Sequence, residues 1–339
     1  MIGEYSGYDY ILNMFENSYR QEGFKGKTQL EHKKWVEASR KRLMGLMGMH
    51  NMEKCKLSPV TLEIKTFGDY LREKIVIKTQ DNLKMPFYIL SPLAGGNKKA
   101  IIAIHGHGSD GKEGLVGNEK EEYKEKVKRF NYVYAMQLVK MGFTVFVPDL
   151  LGSGERTLGI YKDTTAECND INNACVSLGF SLQGLVLFDL MRLVDYIKEY
   201  TETEGNLGVC GFSGGGNFSI LLAAMDERID YCLDSGFFHS YKDVLLYTNR
   251  CGCNFVPNLW KYFDMCDIAS MVAPRPLFIE TGIRDTLNGA RGIGGVEEQI
   301  SIAQQTYRLY GMAITVSMQE GEHTWHGSGY KWINTISSL

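Results

Sequence analysis

No stretch of this sequence is apolar for the roughly 18 or more residues that a membrane-spanning helix needs, so no helical membrane anchor is expected. The opening MIGEYSGYDY has no basic segment followed by an apolar one, so no secretory leader is read there. Neither sign of charge prevails: 37 Lys and Arg stand against 40 Asp and Glu, a formal net charge of −3. That balance leaves no basic footprint for nucleic acid. Eight cysteines scattered through 339 residues do not make a disulfide framework. Cys251-Gly-Cys253, taken with Cys266, suggests a metal site, but the C-x-C lacks a matching second pair, so no metal is expected. Repeats and low-complexity linkers are absent as well. These absences lead to the expectation of a cytoplasmic protein that binds neither nucleic acid nor membrane.

What is present is an ordinary globular composition, 44% hydrophobic and 23% charged, enough for a sizeable core. The stretch from Glu119 to Arg129 alternates in charge and reads as a solvated helix face. Residues 1 to about 72 read as a helical extension. Within it Trp35, Leu43, Leu46, Met47 and Met49 alternate with basic residues, as in an amphipathic helix whose methionines pack.

From residue 73 to 339 the pattern changes. KIVIKT and MPFYIL read as strands, and AIIAIHG (100–106) and FTVFVPD (143–149) as strands covered on both faces. Phe130, Tyr134 and Leu138 recur at helical spacing, and Leu187, Met191 and Val194 mark another helix. LGVCGFS, DYCLDSG, RPLFIETG and AITVSMQEG are further strands, with the helix NFSILLAAM after the first of them. Alternating strands and helices predict an α/β fold with a mostly parallel central sheet flanked by helices. Function is then expected on the loops beyond the carboxyl ends of the strands.

Those loops carry chemistry. Gly211-Phe212-Ser213-Gly214-Gly215 fits G-x-S-x-G, in which small neighbours let a serine occupy a strained strand-to-helix turn. A serine needs a base, and the base an orienting acid, in the chain order Ser, Asp/Glu, His for this kind of sheet. Asp285, just past the RPLFIETG strand, is the candidate acid, with Asp234 as runner-up, while Glu280 lies inside that strand. Past the last strand, His323 and His326 compete for the base, and the closeness of His323 to the strand end favours it. HGHGSDGKEG (105–114) contains the start of a phosphate-binding loop, G-x-x-x-x-G-K, but Glu113 stands where Ser or Thr is required. The better reading is an oxyanion loop, with the backbone N–H groups of His107 and Gly214 as donors and His105 as a brace.

AIIAIHGHGSDGKE, VFVPDLLGSGER, FDLMRLVDYI, VCGFSGGG, YFDMCDIASMVAPRPLFIETGIRD and EGEHTWHG together resemble an α/β-hydrolase of the dienelactone hydrolase and acetyl xylan esterase-like group. The likeness spans roughly residues 73–328, and the N-terminal segment resembles that group's extension. It implies an α/β-hydrolase fold, Ser213 as nucleophile, Asp285 as acid and His323 as base. It also implies a small-molecule ester substrate and no cofactor. A homo-oligomer is the further partner that the reading admits. The glycine-rich 288–295 loop departs from the group's pattern, and 237–263 stands where such folds insert cap elements. The aromatics of that insertion either line a pocket or pack it onto the core. The rival readings are a peptidase or thioesterase with the same triad, a non-catalytic binding protein of this fold, and, third, a nucleotide switch.

Overall fold

A computed structural model describes residues 5–108, 110–117, 121–159, 164–246 and 251–338. Nine strands form one sheet: β1 (Val60–Phe67), β2 (Tyr70–Gln80), β3 (Leu83–Pro92), β4 (Ala100–Ile104), β5 (Thr144–Pro148), β6 (Leu207–Phe212), β7 (Tyr231–Ser235), β8 (Leu277–Gly282) and β9 (Thr315–Gln319). Their order is β1-β2-β3-β5-β4-β6-β7-β8-β9. The first three strands and β5 pair antiparallel, and β5, β4 and β6 to β9 run parallel. This is the α/β-hydrolase architecture that the sequence implies. Every residue of β4, β6, β7 and β8 is buried, which is why those strands read as apolar, broken only by Asp234 and Ser235 in β7 and by Glu280 and Thr281 in β8.

The helical reading of residues 1–72 holds for Tyr8–Ser18 and Gln29–Leu46 but not beyond: β1 is a strand, and β2 begins at Tyr70. β1 escaped the hydrophobic pattern because it lies at the sheet edge. Val60, Leu62 and Ile64 stay exposed, and its alternate residues are charged or polar. Phe130 and Tyr134 also fall on two helices, Glu121–Phe130 and Tyr134–Lys140, divided at Asn131, whose φ is 51°. The side chains described on Glu121–Phe130 are exposed or half-buried, as a solvated face requires, while residues 118–120 lie outside the described chain.

The N-terminal helices are pinned to the body by specific polar contacts. Arg20 donates to both oxygens of Asp267 at 2.7 and 2.6 Å, Tyr19 donates to Asp264 at 3.0 Å, and His32 Nε2 donates to the Ser270 carbonyl at 2.8 Å. All three partners lie at or on helix Met265–Val272, which packs against Gly214–Met225, the helix that follows Ser213. Leu43, Met47 and Met49 join the main core cluster as expected.

The motifs shared with the hydrolase group turn out to be structural joints. Arg156 of PDLLGSGER pairs with Asp189 of FDLMRL at 2.6 Å, both buried. Arg275 of APRP donates to the carbonyls of Ala223, Asp226 and Ile229, closing the carboxyl end of helix Gly214–Met225. Among the described residues no single helix is long and apolar enough to cross a membrane. Glu167–Ser177 and Leu182–Tyr200 pass such a test only together, across a bend of 95°.

Candidate active site

The parallel strands point their carboxyl ends to one edge of the sheet, and the loops there gather the candidate residues. Ser213 follows β6 and begins helix Gly214–Met225 with φ 58° and ψ −123°, a conformation that side chains other than glycine rarely adopt. The flanking glycines make the turn sterically feasible. A Cβ on Gly211 would lie 2.3 Å from the carbonyl carbon of Gly215, and one on Gly215 would lie 2.0 Å from the Ile104 carbonyl oxygen. Ser213 itself is half-buried.

Asp285 follows β8 and His323 follows β9. His323 Nδ1 donates to Asp285 Oδ2 at 2.6 Å, and the Leu287 backbone N–H donates to Asp285 Oδ1 at 2.7 Å. The carboxylate is thus satisfied on both oxygens, and it holds the imidazole in the Nδ1–H tautomer with Nε2 left for a proton. Side-chain exposure is 1% for Asp285 and 17% for His323, so the acid is sheltered and the base faces outward. The His323 ring lies 4.6 Å from the Phe212 ring, next in sequence to Ser213. Among the described residues no hydrogen bond joins Ser213 Oγ to His323, a contact that in such sites tightens when substrate arrives.

The competing candidates lie elsewhere. Asp234, the runner-up acid, is wholly buried in β7 beneath Gly216, whose Cβ would fall 2.3 Å from its Oδ1. Burial pushes its carboxyl up to about 8, against a smaller opposing pull from the Phe237 backbone. His326 turns its ring over Gly321, and its Nε2 is buried without a partner among the described residues.

Glu280, which the sequence places inside a strand and away from the chemistry, carries an unread role. Its Oε1 accepts from Ser235 Oγ at 2.8 Å and from the His326 N–H at 3.0 Å. Its Oε2 accepts from the Ser328 N–H at 2.7 Å and the Ser328 hydroxyl at 2.5 Å. The Ser213 N–H in turn donates to the Ser235 carbonyl at 2.8 Å. One buried carboxylate therefore ties the serine turn, β7, β8 and the histidine loop into a single chain. Sequence could have flagged it only as an acid in an otherwise apolar strand.

The loop read as the oxyanion donor lies against the serine turn. A Cβ on Gly106 would sit 2.8 Å from the Phe212 carbonyl oxygen and 3.2 Å from Ser213 Cβ, so only glycine fits. Beyond it, the His107 backbone nitrogen is 3.6 Å from where a Gly214 Cβ would be. His105 braces the loop: Nδ1 donates to the Gly106 carbonyl at 2.7 Å, and Nε2 accepts from the Leu150 N–H at 3.0 Å. Lys112, the lysine of the phosphate-loop reading, is fully buried and pairs with Asp149 and Glu155, each at 2.5 Å. Burial opposes its charge, yet the two carboxylates hold its ammonium above its ordinary value. That lysine is committed to structure.

The insertion at 237–263, of which 247–250 lie outside the described residues, mostly packs. Phe237, Phe238, Tyr241 and Phe263 are buried, and Tyr241 stacks on Trp260 at 5.5 Å. Its Asp243 meets the glycine-rich loop. Arg291 donates to it at 2.6 and 2.9 Å, and Gly295 leaves room for its carboxylate.

The cysteines of the C-x-C have neighbours that their spacing does not show. Cys266 lies apart, in helix Met265–Val272, but Cys251 and Cys253 meet Cys168 and the imidazole of His107, with all four ligand atoms within 4.8 Å of one another. The two neighbours, a histidine and a cysteine, come from two distant segments. Hydrogen bonding among the three thiols, with Cys251 and Cys253 donating, pushes Cys168 well down and the other two well up.

A family model for the Abhydrolase family matches residues 4–307. The chain belongs to the Abhydrolase family. A provisionally named hydrolase of Bacillus subtilis (strain 168), YtaP, is 27% identical over 273 residues, 77% of this chain and 85% of its own. This Abhydrolase family member superposes on a provisionally named acetyl xylan esterase from Bacteroides fragilis NCTC 9343 with a TM-score of 0.76 and 20% identity. That match covers 97% of this chain and 84% of the other. Acetyl xylan esterase 1 from Thermoanaerobacterium sp. JW/SL YS485 gives 0.59 and 15% identity over 96% and 98%. At such identities the two structures speak for the α/β-hydrolase fold.

Proposed function

We propose that this protein is a serine carboxylic-ester hydrolase in which Ser213, His323 and Asp285 act as nucleophile, base and acid. The observation that carries the reading is the 2.6 Å bond between Asp285 and His323, both on loops beside a serine held at positive φ. Ser213 Oγ attacks the ester carbonyl while His323 Nε2 takes its proton, and Asp285 stabilises the imidazolium. The N–H groups of His107 and Gly214 hold the oxyanion. The intermediate collapses as the imidazolium returns its proton to the departing alcohol. Water, activated by the same imidazole, then attacks the acyl-enzyme and frees Ser213.

A small acyl group is the reading we favour. A cavity of about 20 Å³ lies beside the proposed oxyanion pair, lined by His107, Gly214, Leu150, Phe218 and Cys253 among others, and a group the size of an acetyl methyl fits it. The names of the two structural neighbours, acetyl xylan esterases, agree with acetylated sugars as substrates. The decisive assay sets p-nitrophenyl acetate, butyrate and octanoate beside acetylated xylo-oligosaccharides, with wild type and Ser213→Ala. A fluorophosphonate probe should label wild type alone. Labelling that persists in Ser213→Ala removes the assignment.

A further inference from the structure

We propose that His107, Cys168, Cys251 and Cys253 form a tetrahedral site for a zinc-class divalent cation, which joins the insertion to the oxyanion loop. The ligands come from three segments: His107 in the loop just beyond the end of β4, Cys168 in helix Thr164–Ser177, and Cys251 and Cys253 in the insertion. Cys251 Sγ is 2.7 Å from His107 Nε2 and 2.9 Å from Cys253 Sγ. His107 Nε2 is 3.4 Å from Cys168 Sγ and 3.8 Å from Cys253 Sγ. Metal–sulfur bonds near 2.3 Å and metal–nitrogen bonds near 2.0–2.1 Å imply tetrahedral edges of about 3.5–3.8 Å. The nitrogen–sulfur distances bracket those edges and the Cys251–Cys253 pair is tighter than its edge, so an entering ion has to spread that pair by somewhat less than an ångström around a common centre.

The surroundings are built for this set. The Gly252 N–H donates to Asn169 Oδ1 at 2.6 Å, which fixes the C-x-C turn on the helix that carries Cys168. A Cβ on Gly252 would lie 2.8 Å from Asn172 Cβ and 3.0 Å from the Cys168 carbonyl oxygen, so the turn needs glycine to come this close. All three cysteines are buried. Three thiolates cannot sit side by side without a cation; with one, each ligand that is still a thiol releases its proton as its metal–sulfur bond forms. Three thiolates around one divalent ion leave the loaded site with a net charge of −1. Three cysteines and one histidine suit zinc in a closed structural site.

The cation acts on His107 through its side chain. Nε2 binds, so the proton stays on Nδ1, the nitrogen 3.7 Å from a Gly214 Cβ. Cys168 and Cys253 also wall the cavity beside the oxyanion pair. A bound ion therefore fixes both the donor loop and the depth of that cavity, a consequence that rests on the esterase reading above.

The test uses the full chain, purified under reducing conditions without chelator from zinc-supplemented cells. Elemental analysis should find about one zinc per chain, and cobalt exchange should give thiolate-to-cobalt charge-transfer bands with tetrahedral d–d bands. Cys168→Ser and the double variant Cys251→Ser/Cys253→Ser should each lower zinc content at least tenfold. Should those variants not fold, the wild-type stoichiometry and cobalt spectrum decide alone. Reduced wild type that takes up less than about a tenth of an equivalent from added zinc overturns the site. So does a Cys251–Cys253 disulfide that forms in preference to zinc binding. Neither readout needs esterase activity, so the metal site and the catalytic reading fail separately. Where activity exists, chelation should lower kcat more than it raises KM.

Discussion

His323 and His107 flank Ser213 from different loops and are held by opposite kinds of partner. His323 leans on one hard acceptor, the Asp285 carboxylate, which stabilises a ring that gains and loses a proton. His107 turns its ring into three soft sulfurs, which suit a ring that keeps a metal and surrenders no proton. On the two proposals above, one histidine is mounted for proton transfer and the other for rigidity, and the proposed oxyanion loop uses only the backbone of the second. Imidazole chemistry here follows from the partner and not from nearness to the serine.

The sharpest way to break this contrast is to spoil the proton-transferring side alone. Asp285→Asn should keep the fold and lower kcat on the order of 10⁴-fold, by analogy with the serine-protease aspartate, while leaving the zinc content unchanged. Single-turnover kinetics and elemental analysis on one preparation check both halves. A comparable loss from Asp234→Asn, with Asp285→Asn mild, would move the acid to β7.

Glu280 tests whether the His323 side depends on its supports. Glu280→Gln keeps the shape but replaces one acceptor oxygen with a donor, facing N–H groups that have nowhere else to go. A loss of about 1–3 kcal/mol in denaturant unfolding is expected. The accompanying drop in kcat should exceed any change in KM, because the histidine loop loosens. Unchanged stability would mean that solvent replaces those bonds.

The two sides also differ in how far sequence could reveal them. Ser213, Asp285 and His323 each follow a strand that the sequence pattern marks, and the chain order of this fold says where to look. His107 and Cys251 are 144 residues apart, and Cys168 lies inside a helix with no spacing rule linking it to a C-x-C. Only the docking of the insertion on helix Thr164–Ser177 brings them together. β1 was missed for a related reason: an edge strand exposed on both faces carries no core signature. Glu280 is silent in the sequence because an acid inside a strand shows its meaning only when the loops above it close.

Asp234 gives the stability a pH handle. Its carboxyl rises from an ordinary 3.8 to about 8. Between those values the folded protein keeps a proton that the unfolded chain has lost, so the contribution is full below about 4 and is lost as pH rises through 8. Each pH unit in that window should cost wild type about 1.4 kcal/mol relative to Asp234→Asn. Urea unfolding at pH 5, 7 and 9 measures it, and parallel curves for the two proteins would show that the proton is absent.

The smallest effect belongs to His326, and it separates a histidine that is merely near the site from one that works in it. Its ring covers Gly321, its Nε2 is buried without a hydrogen bond to any described residue, and its tie to Glu280 uses the backbone N–H, which any residue other than proline supplies. An apolar side chain of similar size removes the unpaired nitrogen and keeps the packing. His326→Leu should therefore stay within about 1 kcal/mol of wild type, since removing an unsatisfied buried polar atom is close to neutral. Turnover should stay within about tenfold, because the loop keeps its backbone anchors. His323→Leu should fold as well and turn over nothing, having lost the group bonded to Asp285. Steady-state kinetics on the pair decides the matter: an inactive His326→Leu beside an active His323→Leu would exchange their roles.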